Sequence, residues 1–158
     1  MTKMGFNEVF HQQPFGHRRT LTYSNGRTIT TKSNGETRFA LFLDILQATG
    51  TVRAWDYESK EFWFEDIKRG TVSYKPDFVV DWWNGGRIFY EVKCGKFRQK
   101  DCTKWKRLAK KYPDTKLVLV IDRNYNKGNA ARIIENGRKY LHHIWNVKDD
   151  YKKLGIKI

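Results

Sequence analysis

Three charged side chains stand inside otherwise apolar segments. Asp77 heads the run Phe78-Val79-Val80, and Glu91 and Lys93 close the run Ile88-Phe89-Tyr90. Residues two apart on a strand share a face, so Glu91 and Lys93 stand side by side while Val92 points into the opposite layer. Residues 77–83 and 87–93 read as a hairpin turned by Asn84-Gly85-Gly86. With Trp83 and Arg87 as partners, Asp77 falls opposite Lys93 and diagonal to Glu91, and diagonal neighbours lie ~7–8 Å apart. Two carboxylates so placed can converge on one hard divalent cation such as Mg2+, which takes oxygen ligands. A lone cross-strand Asp–Lys or Glu–Lys ion pair, worth ~0.2–1 kcal/mol, accounts for one acid and leaves the second without a reason in a buried strand.

Several elements must position these groups. Ser33-x-x-Glu36 opens a segment in which Phe39, Leu43 and Leu46 recur at helical spacing, which predicts a helix over residues 35–48. Glu36 has two readings that the sequence leaves open: half of a capping box with Ser33, or a further acid at the site. Downstream, Cys102, Trp105, Ala109 and Tyr112 form the apolar stripe of a helix over residues 99–112, stopped by Pro113. Its other side carries Lys100, Lys104 and Arg107, with Arg98 just ahead, and these fit either contacts to backbone phosphates or a solvated face. Asn25-Gly26 between Thr-rich runs predicts a hairpin over residues 21–31, preceded by a basic arm over residues 1–20. Residues 51–57 and 61–65 read as short strands around a polar turn. Residues 116–122 read as a fully buried strand, residues 130–140 as a helix and residues 143–146 as a strand. This order predicts one α/β domain with a mixed sheet and an N-terminal hairpin.

Composition selects the partner. Lys and Arg number 31 against 17 Asp and Glu, a net charge of +14 spread along all 158 residues, which points to a polyanion. An apolar run of ~18 residues and a signal-peptide pattern over residues 1–10 are both lacking, so nucleic acid is favoured over a membrane. Cys94 and Cys102 are too few for a disulfide framework or a zinc finger and read as reduced thiols in a cytoplasmic setting. His142-His143 lacks a zinc-partner spacing, and Trp82, Trp83 and Trp105 read as core.

Pro76-Asp77 followed by Glu91-Val92-Lys93 resembles the PD-(D/E)xK nuclease signature. The α-β-β-β-α-β order over residues 33–122 is similar to the restriction-endonuclease-like core of that superfamily. The chain resembles small phage nucleases, among them a family related to RecU-type Holliday junction resolvases, whose hairpin, Ser-x-x-Glu and Lys-Tyr-Pro-Asp segments are matched by Asn25-Gly26, Ser33-x-x-Glu36 and Lys111-Tyr112-Pro113-Asp114, and it is similar to phage head-completion nucleases. The resemblance implies Mg2+ or Mn2+ as cofactor, with Asp77 and Glu91 as ligands, the Val92 carbonyl as an extra ligand, and Glu36 as a ligand or holder of a metal-bound water. It implies that Lys93 positions or activates the attacking water. The expected function is a metal-dependent DNA endonuclease selective for branched DNA such as a Holliday junction. A homodimer is implied if two strands are cut, working in the host cytoplasm if the chain is phage-encoded. The alternatives are a nuclease for duplex ends or specific sites, of head-completion or transposase type, and a DNA-binding protein that keeps the fold without turnover.

Overall fold

Leu117–Ile121 is an unbroken run of branched aliphatic residues, all five of them buried, as expected of a strand covered on both faces. In the computed structural model, which describes residues 18–157, this strand is one of five in a mixed sheet. All but the last three residues of the expected basic arm lie outside the described residues. In chain order the elements are β1 (Arg19–Thr22), β2 (Thr28–Thr31), α1 (Asn34–Ala48), β3 (Val52–Tyr57), β4 (Phe62–Trp63), β5 (Ser73–Tyr74), β6 (Phe78–Trp82), β7 (Arg87–Val92), α2 (Gln99–Lys111), β8 (Leu117–Ile121), α3 (Gly128–Gly137), a 3-10 turn (Arg138–Tyr140), β9 (His143–Asn146) and α4 (Lys148–Lys153). The strand order is β3-β6-β7-β8-β9, antiparallel from β3 to β7 and parallel from β7 to β9.

Alternation along the strands sends side chains into two apolar layers. Phe78, Val80, Tyr90, Val92, Val118 and Val120 pack under α1 and α4, while Val79, Phe89, Leu117, Leu119 and Ile121 pack under α2 and α3. Asp77, Glu91 and Lys93 carry the parity of the second set, so the charged groups belong to the α2 side of the sheet. Among the described residues no helix is long and apolar enough to cross a membrane.

The β6–β7 hairpin pairs two residues away from the expected register. Asp81, not Trp83, is opposite Arg87, and Phe78 is opposite Tyr90. The reason is the turn: Gly85 at φ +88 takes the left-handed conformation, its amide donates to the Trp82 carbonyl, and the Trp82 amide donates to the Gly86 carbonyl. The loop is therefore Trp83-Asn84-Gly85, and Asp81 and Arg87 lock it with a two-bond ion pair at 2.7 and 3.0 Å. Carried one step past Phe78–Tyr90, this register sets Asp77 level with Glu91 instead of Lys93. A shift of two keeps every side chain on its expected face.

Three further corrections concern the periphery. The strand expected over residues 61–65 does not return against β3; its core, β4, pairs with β5 in a separate ribbon, while β3 pairs with β6. β5 and α4 carry no clear periodic signal in the sequence. Trp83 is 64% exposed at the tip of its turn and is not core, whereas Trp105 is fully buried and Trp82 donates from Nε1 to the Tyr90 hydroxyl.

Candidate catalytic site

Asp77 enters β6 at the end of the sheet where β7 leaves it. Its Oδ2 accepts the Val92 amide at 2.7 Å, a bond that ties the two strand ends together. Glu91 is buried; its Oε2 accepts the Tyr74 hydroxyl at 2.7 Å, and its Oε1 faces the Lys93 ammonium at 3.5 Å. Lys93 is held from its other side by Asp101 Oδ1 at 3.0 Å. Asp101, buried in the first turn of α2, accepts the Arg98 amide with its second oxygen at 2.8 Å.

Glu36 arrives from α1. Ser33 caps that helix, its hydroxyl accepting the Glu36 amide at 3.1 Å. The Glu36 carboxylate does not close the box on Ser33's own amide. Its Oε2 accepts instead the Lys32 amide, one residue further out, at 2.9 Å and the Tyr57 hydroxyl at 2.6 Å. The cap and the carboxylate thus have separate partners. The helix start is tied to the β1–β2 hairpin by a buried Thr31–Thr37 hydroxyl pair at 2.6 Å and comes close to the end of β7 at Gly35, where a Cβ would lie 2.7 Å from Cys94 Sγ.

The electrostatics follow first from burial and then from the crowding of acids. Burial, then the charges of Glu91 and Glu36, hold the Asp77 carboxyl well above the usual range, against the pull of the Val92 amide and Lys93. Burial also raises Glu91, with Lys93, the Tyr74 hydroxyl and Lys104 opposing it. Burial acts to lower Lys93, but Glu91 and Asp101 outweigh it and the net shift is upward, so this amine is an ammonium at neutral pH. Burial and Glu91 raise Tyr74 well above the usual phenol range, so it remains a hydrogen donor.

The expected phosphate contacts divide into groups with different surroundings. Arg98 and Lys100 are exposed at the start of α2. Lys104 is half-buried, with Nζ 5.6 Å from the centre of the Tyr74 ring, on the approach to Glu91. Arg107 donates to the Thr71 carbonyl and so ties α2 to the segment before β5. The side chain of Val92 lies in the α1-side core, as alternation requires.

Tyr57, Tyr74 and Asp101 escape the sequence reading. An acid at the third position of a helix and tyrosines in strands are ordinary at their positions, and only the fold turns them toward the site. Among the described residues no group of three or more His, Cys, Asp or Glu side chains forms a ready-made metal site. Mg2+ is commonly held by one or two carboxylates, with waters and substrate phosphates completing its shell, and Asp77 and Glu91 suit that donor set. Excess negative charge at Asp77 is also what a cation relieves. No protein-family model matches the sequence, and no curated protein matches it significantly.

Proposed function

We propose that the protein is a metal-dependent DNA endonuclease of the PD-(D/E)xK type, selective for branched DNA. The observation that carries this reading is the pairing of β6 with β7, which sets Asp77 level with Glu91 while Lys93 stands 3.5 Å from Glu91 on the same face. A mixed sheet with α1 on one side and α2 on the other supports a restriction-endonuclease-like core.

Asp77 and Glu91, with the Val92 carbonyl, would hold Mg2+ or Mn2+, and Glu36 would hold a water beside it. The bound ion supplies a lowered water pKa and charge stabilisation on the phosphoryl oxygens. The protein's own groups do the rest. The Val92 amide and the Tyr74 hydroxyl each occupy one carboxylate oxygen of Asp77 and Glu91 and thereby orient the other. Lys93, kept charged between two acids, sets a fixed positive charge where the phosphate arrives. Arg98, Lys100 and Lys104 extend that attraction along the backbone.

Branched DNA is preferred because the chain, with a net charge of +14, has no recognisable base-reading module and would select by backbone and shape. Cutting both strands of a junction would need two copies, hence a homodimer. The test is purified protein with a four-way junction, a fork, a linear duplex and a single strand, each in Mg2+, Mn2+ or EDTA. Junction cleavage above duplex cleavage in either metal, and none in EDTA, is expected. Cleavage in EDTA, or none on any DNA, overturns the enzyme assignment; equal cutting of linear duplex overturns the branched preference alone.

A further inference from the structure

We infer that the cleft between the start of α1 and the end of β7 is a second phosphate-binding subsite, built on Arg38, which holds a phosphodiester neighbouring the one that is cut. This deepens the nuclease reading and rests on it. The cleft has a volume of about 680 Å3 and opens beside Glu36 and Lys93. Among the described residues its lining carries the cations Lys32, Arg38, Lys93, Lys96 and Arg98 and the acid Glu36; Lys32 and Lys93 pair with acids outside the lining, which leaves Arg38, Lys96 and Arg98 to attract an anion.

Arg38 gives the cleft its recognising group. Its side chain, 17% exposed, is backed by the buried Asp122, but the contact from Nη1 is 3.7 Å, beyond hydrogen-bond range. Asp122 spends its shorter contact, 2.9 Å, on Arg123. Among the described residues the buried Nε of Arg38 has no hydrogen-bond partner. A guanidinium offers five N–H donors in a planar fork matched to phosphate oxygens. Here Nε is closed to solvent and serves no ligand, but the Nη groups, apart from the 3.7 Å contact to Asp122, are unspent in the wall of a cationic cleft. Lys96 and Arg98, both exposed and outside any side-chain ion pair among the described residues, stand at its rim. Lys32 is less available because its ammonium pairs with Glu58.

The position of the cleft determines the ligand. It continues directly from Lys93, so an anion bound there and a phosphate at Asp77 and Glu91 lie along one path, as successive phosphates of one strand do. The shared chemistry is a phosphate group; a DNA backbone and free inorganic phosphate are its two sources, and the measurement separates them.

DNA affinity is measured in EDTA, where cutting does not interfere, as a function of salt for the wild type, Arg38→Gln, Lys96→Ala and Lys153→Ala. Lys153 is an exposed residue of α4 and controls for loss of charge in general. The expected result is that Arg38→Gln and Lys96→Ala each bind ~5- to 10-fold more weakly and lose about 0.9 from the slope of log K against log[salt], while Lys153→Ala follows the wild type. Inorganic phosphate added at constant ionic strength should not displace the DNA. Should Arg38→Gln fail to fold, Lys96→Ala decides, since that exposed side chain makes no ion pair or hydrogen bond among the described residues. Wild-type affinity in Lys96→Ala and in folded Arg38→Gln overturns the subsite, as does an equal loss in Lys153→Ala. Displacement by inorganic phosphate overturns its assignment to the DNA backbone. A wild type that binds no DNA at all overturns the nuclease reading instead, so the two failures are distinct.

Discussion

Asp77, Glu91 and Glu36 share one arrangement: a scaffold donor takes one oxygen of each. The donors are the Val92 amide, the Tyr74 hydroxyl, and the Tyr57 hydroxyl together with the Lys32 amide. Orientation is fixed, while burial disfavours the charge of Asp77 and Glu91, and that has a pH signature. Asp77 and Glu91 both sit above their ordinary values, so the folded state binds their protons more tightly than the unfolded chain does. Their favourable contribution is complete below the unfolded carboxyl range and is lost as pH rises through the raised folded values. In EDTA the melting-temperature gap between wild type and a variant without the Asp77 charge should therefore widen as pH is raised from acid to neutral. Asp77→Asn, which keeps an oxygen for the Val92 amide and removes the charge, should melt ~2–4 °C higher than wild type at pH 8, a gain of about 1 kcal/mol. A lower melting temperature would contradict the charge-crowding account. Glu36→Gln likewise keeps an acceptor for Lys32 and Tyr57. Cleavage should fall at least ~10-fold, a barrier increase of about 1.4 kcal/mol, with little change in melting temperature; unchanged cleavage would assign Glu36 to helix anchoring alone. Asp77, Glu91 and Lys93 were legible in the sequence because charge inside apolar runs has a cost that demands a reason. Tyr57 and Tyr74 were not, because a strand tyrosine needs no explanation until its hydroxyl is seen to end on a carboxylate.

At the scale of elements, helix α1 and the long strands follow from periodicity and caps, and their bounds fall close to the expected ones. The hairpin register did not follow, because Asn84-Gly85-Gly86 allows the left-handed residue at either glycine, and the choice of Gly85 moves the pairing by two. The β4–β5 ribbon has two residues per strand, too short for any alternation to register. Close approach of α1 to β7 is equally invisible in sequence, yet it sets where Glu36 stands. Gly35 has no room for a methyl group beside Cys94. Gly35→Ala should cost ~1–3 kcal/mol in denaturant unfolding, as overpacking does, and Cys94→Gly in the same chain should restore part of it by removing both Sγ and Cβ, which would lie 2.7 and 2.8 Å from the new methyl. If the double variant is no more stable than Gly35→Ala, the strain lies elsewhere.

For the whole molecule, the net charge of +14 was plain in the sequence, and the fold gathers part of it around the acids: Lys32, Arg38, Lys93, Lys96 and Arg98 share one cleft with Glu36. Association with DNA should accordingly weaken steeply with salt, and a nearly flat dependence of log K on log[salt] would mean that this surface serves another purpose. The central claim is that Asp77 and Glu91 support phosphodiester hydrolysis with a divalent ion. Its most direct test is the single-turnover cleavage rate of a four-way junction by wild type and Glu91→Gln, with DNA binding measured in parallel. The expected result is a rate at least ~100-fold lower in Glu91→Gln, about 2.7 kcal/mol of barrier, with DNA affinity equal or higher because a negative charge facing phosphate is gone. Cleavage by Glu91→Gln at the wild-type rate, or undiminished cleavage by the wild type in EDTA, would contradict it.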